Sequence, residues 1–134
     1  MTVAAGATGS ETGAWRKSLG RFFAEAVSQS PDSVFVEISG ATLTYRQFHE
    51  CARKTATLYR SLGVGPGDRV CLILPNCREM LFSWFGLSLI GAVMVPINTA
   101  YRRDELAYIL RDSGARALVA HIDFSETVAA AADG

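Results

Sequence analysis

Net charge is what this sequence most conspicuously lacks: 13 Lys and Arg are matched by 13 Asp and Glu. A chain without an overall field has no electrostatic means of recruiting nucleic acid or an anionic membrane, so neither is expected as a partner. The densest basic cluster, Arg16, Lys17 and Arg21, reads as a solvated helix face. Lysine is scarce, with Lys17 and Lys54 the only two. Cysteine is scarce too: Cys51, Cys71 and Cys77 make an odd count without a CxxC pair. That pattern excludes a disulfide framework and a zinc site, predicts no metal, and fits a reducing, cytoplasmic setting. Cys77 falls near a predicted helix start, where a thiolate is stabilised, but reads as an inert buried thiol.

Targeting signals are also missing. Residues 1–14 have no charged n-region leading into an apolar run, so they read as a flexible tail rather than a secretory signal. A single long uncharged stretch, Met80 to Ala100, reaches membrane-spanning length. Its interior glycines and serines, and the β-branched run Ala92-Val-Met-Val-Pro96, break it into a buried helix, a glycine stop and a buried strand. No transmembrane span is expected.

What is present is a hydrophobic content of 49 %, enough for a folded core in about one domain. Apolar residues at 15, 19, 22, 23, 26 and 27 predict a helix over 15–30, closed by Ser30-Pro31. Val34 to Ile38 and Ala41 to Thr44 form a hairpin across the turn dipeptide Ser39-Gly40. Thr44 and Gln47 make a capping box for a helix over 45–62. That helix is expected to bury Phe48, Cys51, Ala52, Thr55, Leu58, Tyr59 and Leu62, with Gly63 as its left-handed stop.

From there strands and helices alternate. Strands are predicted at 69–74, 92–97 and 116–120, and helices from Pro75-Asn76 up to Gly91, over 103–113, and over 124–132. Apolar strands of this kind predict a parallel sheet covered on both faces. Gly63-x-Gly65-x-Gly67 is not a phosphate loop, because it joins a helix to a strand and not a strand to a helix N-terminus. His49 and His121 have no evident catalytic partners and read as structural.

The wording of several segments resembles one family. Pro75-Asn-Cys-Arg-Glu79, Trp84-Phe-Gly86, Gly91-Ala-Val-Met-Val-Pro-Ile-Asn98 and Glu105-Leu106 to Asp112-Ser-Gly114 are similar to the AMP-forming acyl-CoA synthetases. Leu43-Thr-Tyr45 and Leu62-Gly-Val-Gly-Pro-Gly-Asp-Arg-Val70 agree, in the same order, so the likeness runs from about residue 15 to 130. Around Asn76-Cys77 and Trp84 to Asn98 it resembles carnitine/crotonobetaine-type and fatty acyl-CoA ligases. The resemblance implies an α/β fold, residues 15–134 being an incomplete part of the large N-terminal domain of adenylate-forming enzymes.

It also implies a two-step reaction. A carboxylate, fatty acids among the candidates, attacks the α-phosphorus of MgATP, and the thiol of coenzyme A then displaces AMP. ATP, Mg2+ and coenzyme A would serve the complete enzyme and are not expected to bind this chain tightly by itself. The phosphate loop, metal-binding glutamate, ribose aspartate and C-terminal lysine of the family have no counterpart here. Thr8-Gly-Ser-Glu-Thr-Gly13 follows no strand and carries Glu11, which would repel phosphate. No catalytic residue is therefore assigned, and the chain alone is expected to be inactive.

By the same resemblance, Asn98, Thr99 and Tyr101 form a ligand-facing loop at the carboxyl end of a parallel strand, where open α/β sheets bind ligands. The alternative for each is a structural role: Asn98 bonding the turn and Tyr101 packing. A second functional reading is a non-catalytic, partner-binding or regulatory remnant of the fold. Separately, the helix from Met80 to Ile90 is apolar nearly all round, so several of Phe82, Trp84, Phe85 and Leu89 are expected to stay exposed and the isolated chain to self-associate through that surface.

Overall fold

A computed structural model describes residues 18–132. The expected tail at 1–14, the loop at Thr8 to Gly13 and the first turn of the predicted helix at 15–17 lie outside the described residues.

The first helix, α1 (Leu19–Gln29), begins at Ser18, whose hydroxyl accepts from the Arg21 amide at 3.3 Å. Strands β1 (Val34–Ile38) and β2 (Ala41–Thr44) pair antiparallel, with Ile38 opposite Ala41. Ser39 and Gly40 both take positive φ, 52° and 74°, as a tight hairpin turn requires. Helix α2 (Tyr45–Ser61) opens on the expected capping box: Thr44 Oγ1 accepts from Gln47 N at 3.3 Å, and Thr44 N donates to Gln47 Oε1 at 2.9 Å. Strand β3 (Arg69–Ile73), helix α3 (Arg78–Leu89), strand β4 (Val93–Pro96), helix α4 (Arg103–Ser113) and strand β5 (Ala117–Ala120) follow in alternation. A short 3-10 turn, Ile122–Phe124, leads into α5 (Ser125–Ala132).

Strands β3, β4 and β5 form a parallel sheet in the order β4-β3-β5. Side chains of β3 alternate between two cores, as strand geometry demands. Val70 and Leu72 meet Tyr59 of α2 and Leu87 and Ile90 of the α3 end. Cys71 and Ile73 meet Leu106 and Ala107 of α4 and Ala131 of α5. The sheet is thus covered on both faces, α3 on one and α4 with α5 on the other. A third core, built from Phe23, Phe48 and Phe85 with Phe35 beside them, ties α1 and the hairpin to α2 and α3.

Three expectations need correction. Helix α3 starts at Arg78, because Pro75 and Asn76 stay in the loop and Cys77 remains extended at φ −136° as the cap. In α2 the buried stripe is Phe48, Ala52, Ala56 and Tyr59. Cys51 and Thr55 are half-buried, and Leu58 and Leu62 lie on the flank, 57 % and 61 % exposed. The close approach of α3 selects the small residues of α2. Finally, the all-round apolar α3 is better covered than its sequence suggests: Phe85 and Leu87 are buried, Phe82 and Leu89 half-buried, and Trp84 is 42 % exposed. Helix α1 supplies that cover by crossing α3 at Gly20, where a Cβ would lie 2.9 Å from the Ser88 carbonyl oxygen.

Residues 80–97 are not one helix: Gly91, at φ 74°, turns the chain out of α3 and into β4. Among the described residues no helix is long and apolar enough to cross a membrane.

Candidate functional site

The carboxyl edge of the parallel sheet is where the fold opens. Ile97 N donates to the Leu72 carbonyl at 2.8 Å, and His121 N to the Ile73 carbonyl at 2.9 Å. Beyond these bonds the three strands end and their connections part. The chain leaves β3 toward α3 on one face, whereas it leaves β4 and β5 toward α4 and α5 on the other. Such a divergence makes a crevice on each side of the β3–α3 loop, the geometry at which open α/β sheets take ligands.

The crevice between β3 and β4 is a depression of about 360 Å3 lined by Pro75, Asn76, Met80, Ile97, Asn98 and Thr99. Asn98 Oδ1 accepts from Ala100 N at 2.9 Å, and Tyr101 N donates to the Asn98 carbonyl at 3.1 Å. The asparagine thus braces the turn while its residue lines the depression. Tyr101 does not join Asn98 and Thr99 there. It is 36 % exposed and borders a shallow surface hollow with Asp104, Glu105 and Tyr108.

The crevice between β3 and β5, of about 460 Å3, brings together Cys77, Glu79, Ser83, His121 and Ile122. Glu79 accepts from Arg78 Nε at 2.8 Å, and that hydrogen bond to the guanidinium holds its carboxyl below the ordinary value. Beneath Ser83 lies Tyr59, whose phenol is pushed up by burial and partly drawn back by its hydrogen bond with Ser83. His121, read from sequence as lacking a partner, has Nδ1 at 3.2 Å from Asp123 Oδ2. This group was not visible in the sequence, because it depends on β5 lying next to β3 and not next to β4. The usable signal was a polar residue just past each strand, Asn98 after β4 and His121 after β5.

The residues present do not fit magnesium-bound ATP. Among the described residues no group of three or more His, Cys, Asp or Glu could hold a metal ion. The β3–α3 loop, residues 74–77, contains no glycine, and Pro75 offers no N–H to a phosphate. The glycine-rich loop sits at the opposite edge of the sheet. There Gly65 N donates to Asp68 Oδ2 at 2.9 Å and Gly67 N to the Gly91 carbonyl at 2.8 Å, so its amides are spent on the protein itself.

Comparison with known proteins supplies the family. The model of the AMP-binding enzyme family matches residues 23–133. A crotonobetaine/carnitine–CoA ligase of Salmonella enteritidis PT4 is 47 % identical over 81 residues, covering 60 % of this chain and 16 % of its own length. A fatty acyl CoA synthetase of Mycobacterium tuberculosis superposes with a TM-score of 0.80 at 29 % identity, covering 84 % of this chain and 23 % of its own. A benzoate CoA ligase of Burkholderia xenovorans, at 24 % identity and TM-score 0.81, shares the fold over 88 % of this chain. The chain therefore spans about a sixth of the length of such curated relatives. It belongs to the AMP-binding enzyme family and corresponds to the N-terminal part of an adenylate-forming acyl-CoA ligase.

Proposed function

We propose that this chain serves as the N-terminal segment of an ATP-dependent carboxylate–CoA ligase and has no adenylating activity by itself. The family match over residues 23–133 carries the reading. In the complete enzyme ATP, Mg2+ and coenzyme A would act with a carboxylic acid, a fatty acid among the candidates, in the cytoplasm. The cytoplasmic setting rests on three unpaired cysteines. Residues 15–134 form the partial α/β subdomain. Its contribution is the loop Asn98, Thr99 and Tyr101 facing ligand at the carboxyl edge of β4, with Asn98 and Thr99 lining the depression and Tyr101 at the shoulder of α4.

Phosphoryl-type chemistry depends on positioned charge and on tethering of the reactants, and the described residues provide neither for ATP. Purified chain with ATP, labelled pyrophosphate and a panel of carboxylic acids is expected to show no carboxylate-dependent exchange above a protein-free control. Exchange above that control would overturn the claim of inactivity. The family role is tested separately by grafting residues 23–133 in place of the matching segment of a crotonobetaine/carnitine–CoA ligase. Ligase activity in the chimera, lowered by Asn98→Ala through KM, is the expected result. An active chimera indifferent to Asn98→Ala and Tyr101→Ala would remove the loop from the ligand site.

A further inference from the structure

One flank of α2 carries positive charge that the fold leaves uncompensated. His49, Arg53 and Arg60 follow one another along the helix and line a single recess of about 280 Å3, with Ala56, Thr57 and Leu89 as its floor and walls. No carboxylate lines it. Arg53 and Arg60 are exposed and make no ion pair among the described residues, whereas Arg46, Arg78 and Lys54 each hold an acidic partner. Seven residues separate the two arginines, about 10.5 Å along the axis, a span that two long side chains can close from opposite ends.

The surroundings of His49 report the same field. Its ring lies edge-on to Phe23 at 5.9 Å, and its pKa is lowered by burial and then by the charge of Arg53. The other charged groups on the two helices packed there are paired: Glu50 with Lys54 at 3.1 Å on α2, and Glu25 with Arg21 at 3.7 Å on α1. Arg53 and Arg60 thus remain the unpaired cations of the recess.

We propose that this recess binds a tetrahedral oxyanion, a phosphate or pyrophosphate group, between the guanidinium groups of Arg53 and Arg60 and against His49. Guanidinium groups match phosphate oxygens in geometry as well as charge. The volume suits a phosphate or diphosphate and leaves a larger attached group outside. None of these residues lines the crevices at the sheet edge, so the proposal stands apart from the ligase reading.

The His49 ring protons, followed by NMR on the full chain, are the readout. Sodium pyrophosphate is titrated against sodium chloride of equal ionic strength, and ADP is titrated in parallel. Pyrophosphate is expected to give a saturable shift and to raise the His49 pKa. Arg53→Gln and Arg60→Gln should each weaken binding about tenfold, and Lys54→Gln should leave it unchanged. Circular dichroism checks that these surface variants stay folded. Tighter binding of ADP than pyrophosphate would identify the phosphate as a nucleotide's, and the reverse would identify the free anion. A response that follows ionic strength alone, or that persists in the double variant, would overturn the site.

Discussion

At the scale of single residues, two positions show how local chemistry sets a measurable cost. Gly20 lies where α1 crosses α3, and a Cβ there would stand 2.9 Å from the Ser88 carbonyl oxygen and 3.1 Å from the Leu89 Cα. These are backbone atoms, so relief requires the helices to separate. Gly20→Val is expected to destabilise the chain by about 1–3 kcal/mol, the overpacking cost exceeding the gain in helix propensity, as urea unfolding would show. His49 adds a pH dependence. Burial and Arg53 hold its folded pKa below the ordinary 6.5, so the unfolded chain binds the proton more readily. Its contribution to stability is present above pH 6.5 and is lost as pH falls from there toward the folded pKa. Unfolding free energies measured between about pH 7.5 and 5.5 should fall with acidification, and His49→Gln should flatten part of that slope. An unchanged slope in the variant would show that the imidazole is not responsible.

At the scale of elements, the hairpin, α2 and α1 were legible because their signals are local. A turn dipeptide, a capping box and a proline stop act over a few residues, and each is where the sequence put it. Thr44 carries the most weight in that group, since its Oγ1 accepts from the Gln47 amide and its own amide donates back to Gln47. Thr44→Ala should therefore cost about 1 kcal/mol, and Thr44→Ser much less, a ranking that chemical denaturation can resolve. The start of α3 was misread for the complementary reason. Asparagine after proline resembles a helix opening, but Ile97 N and His121 N hold the carbonyls of Leu72 and Ile73 in the sheet, and the chain needs the four residues 74–77 to turn. Leu58 and Leu62 were assigned to the core because they fall on the apolar stripe of α2. Which part of a broad stripe is buried depends on the partner helix, and α3 crosses α2 at Gly86, where a Cβ would lie 3.0 Å from the Ala52 carbonyl oxygen, favouring Ala52 and Ala56 over the leucines.

At the scale of the whole molecule, the exposed apolar surface is smaller than the composition of α3 suggests, and it lies elsewhere. Leu58 and Leu62 border an apolar hollow of about 230 Å3 with Phe82 and Val119, beside the edge of β5 that pairs with no described strand. Free strand edges next to apolar surface favour association between chains. Sedimentation at micromolar concentration is expected to show reversible self-association, and Leu58→Glu with Leu62→Glu should abolish it without lowering stability, since both leucines are already solvated. A monomer across that range would show that the hollow is tolerated as free surface. The missing catalytic chemistry also belongs to this scale: the inactivity expected in the exchange assay follows from residues the described chain does not contain.

The sequence by itself determined the order and type of the elements, the parallel character of the sheet and the family. Those follow from periodicity, caps and glycine stops, and from segment wording, all carried by neighbouring residues. The place of Asn98 at the end of a strand was legible for the same reason. Only the tertiary structure decided that β3 lies between β4 and β5, which makes two crevices at one edge and brings Cys77, Glu79 and Ser83 to His121. It alone separated Tyr101 from Asn98 and Thr99, and set Leu89 of α3 against the His49, Arg53 and Arg60 flank of α2 to make a recess. Strand order and helix rotation arise from contacts between residues far apart in the chain, and no local pattern specifies them.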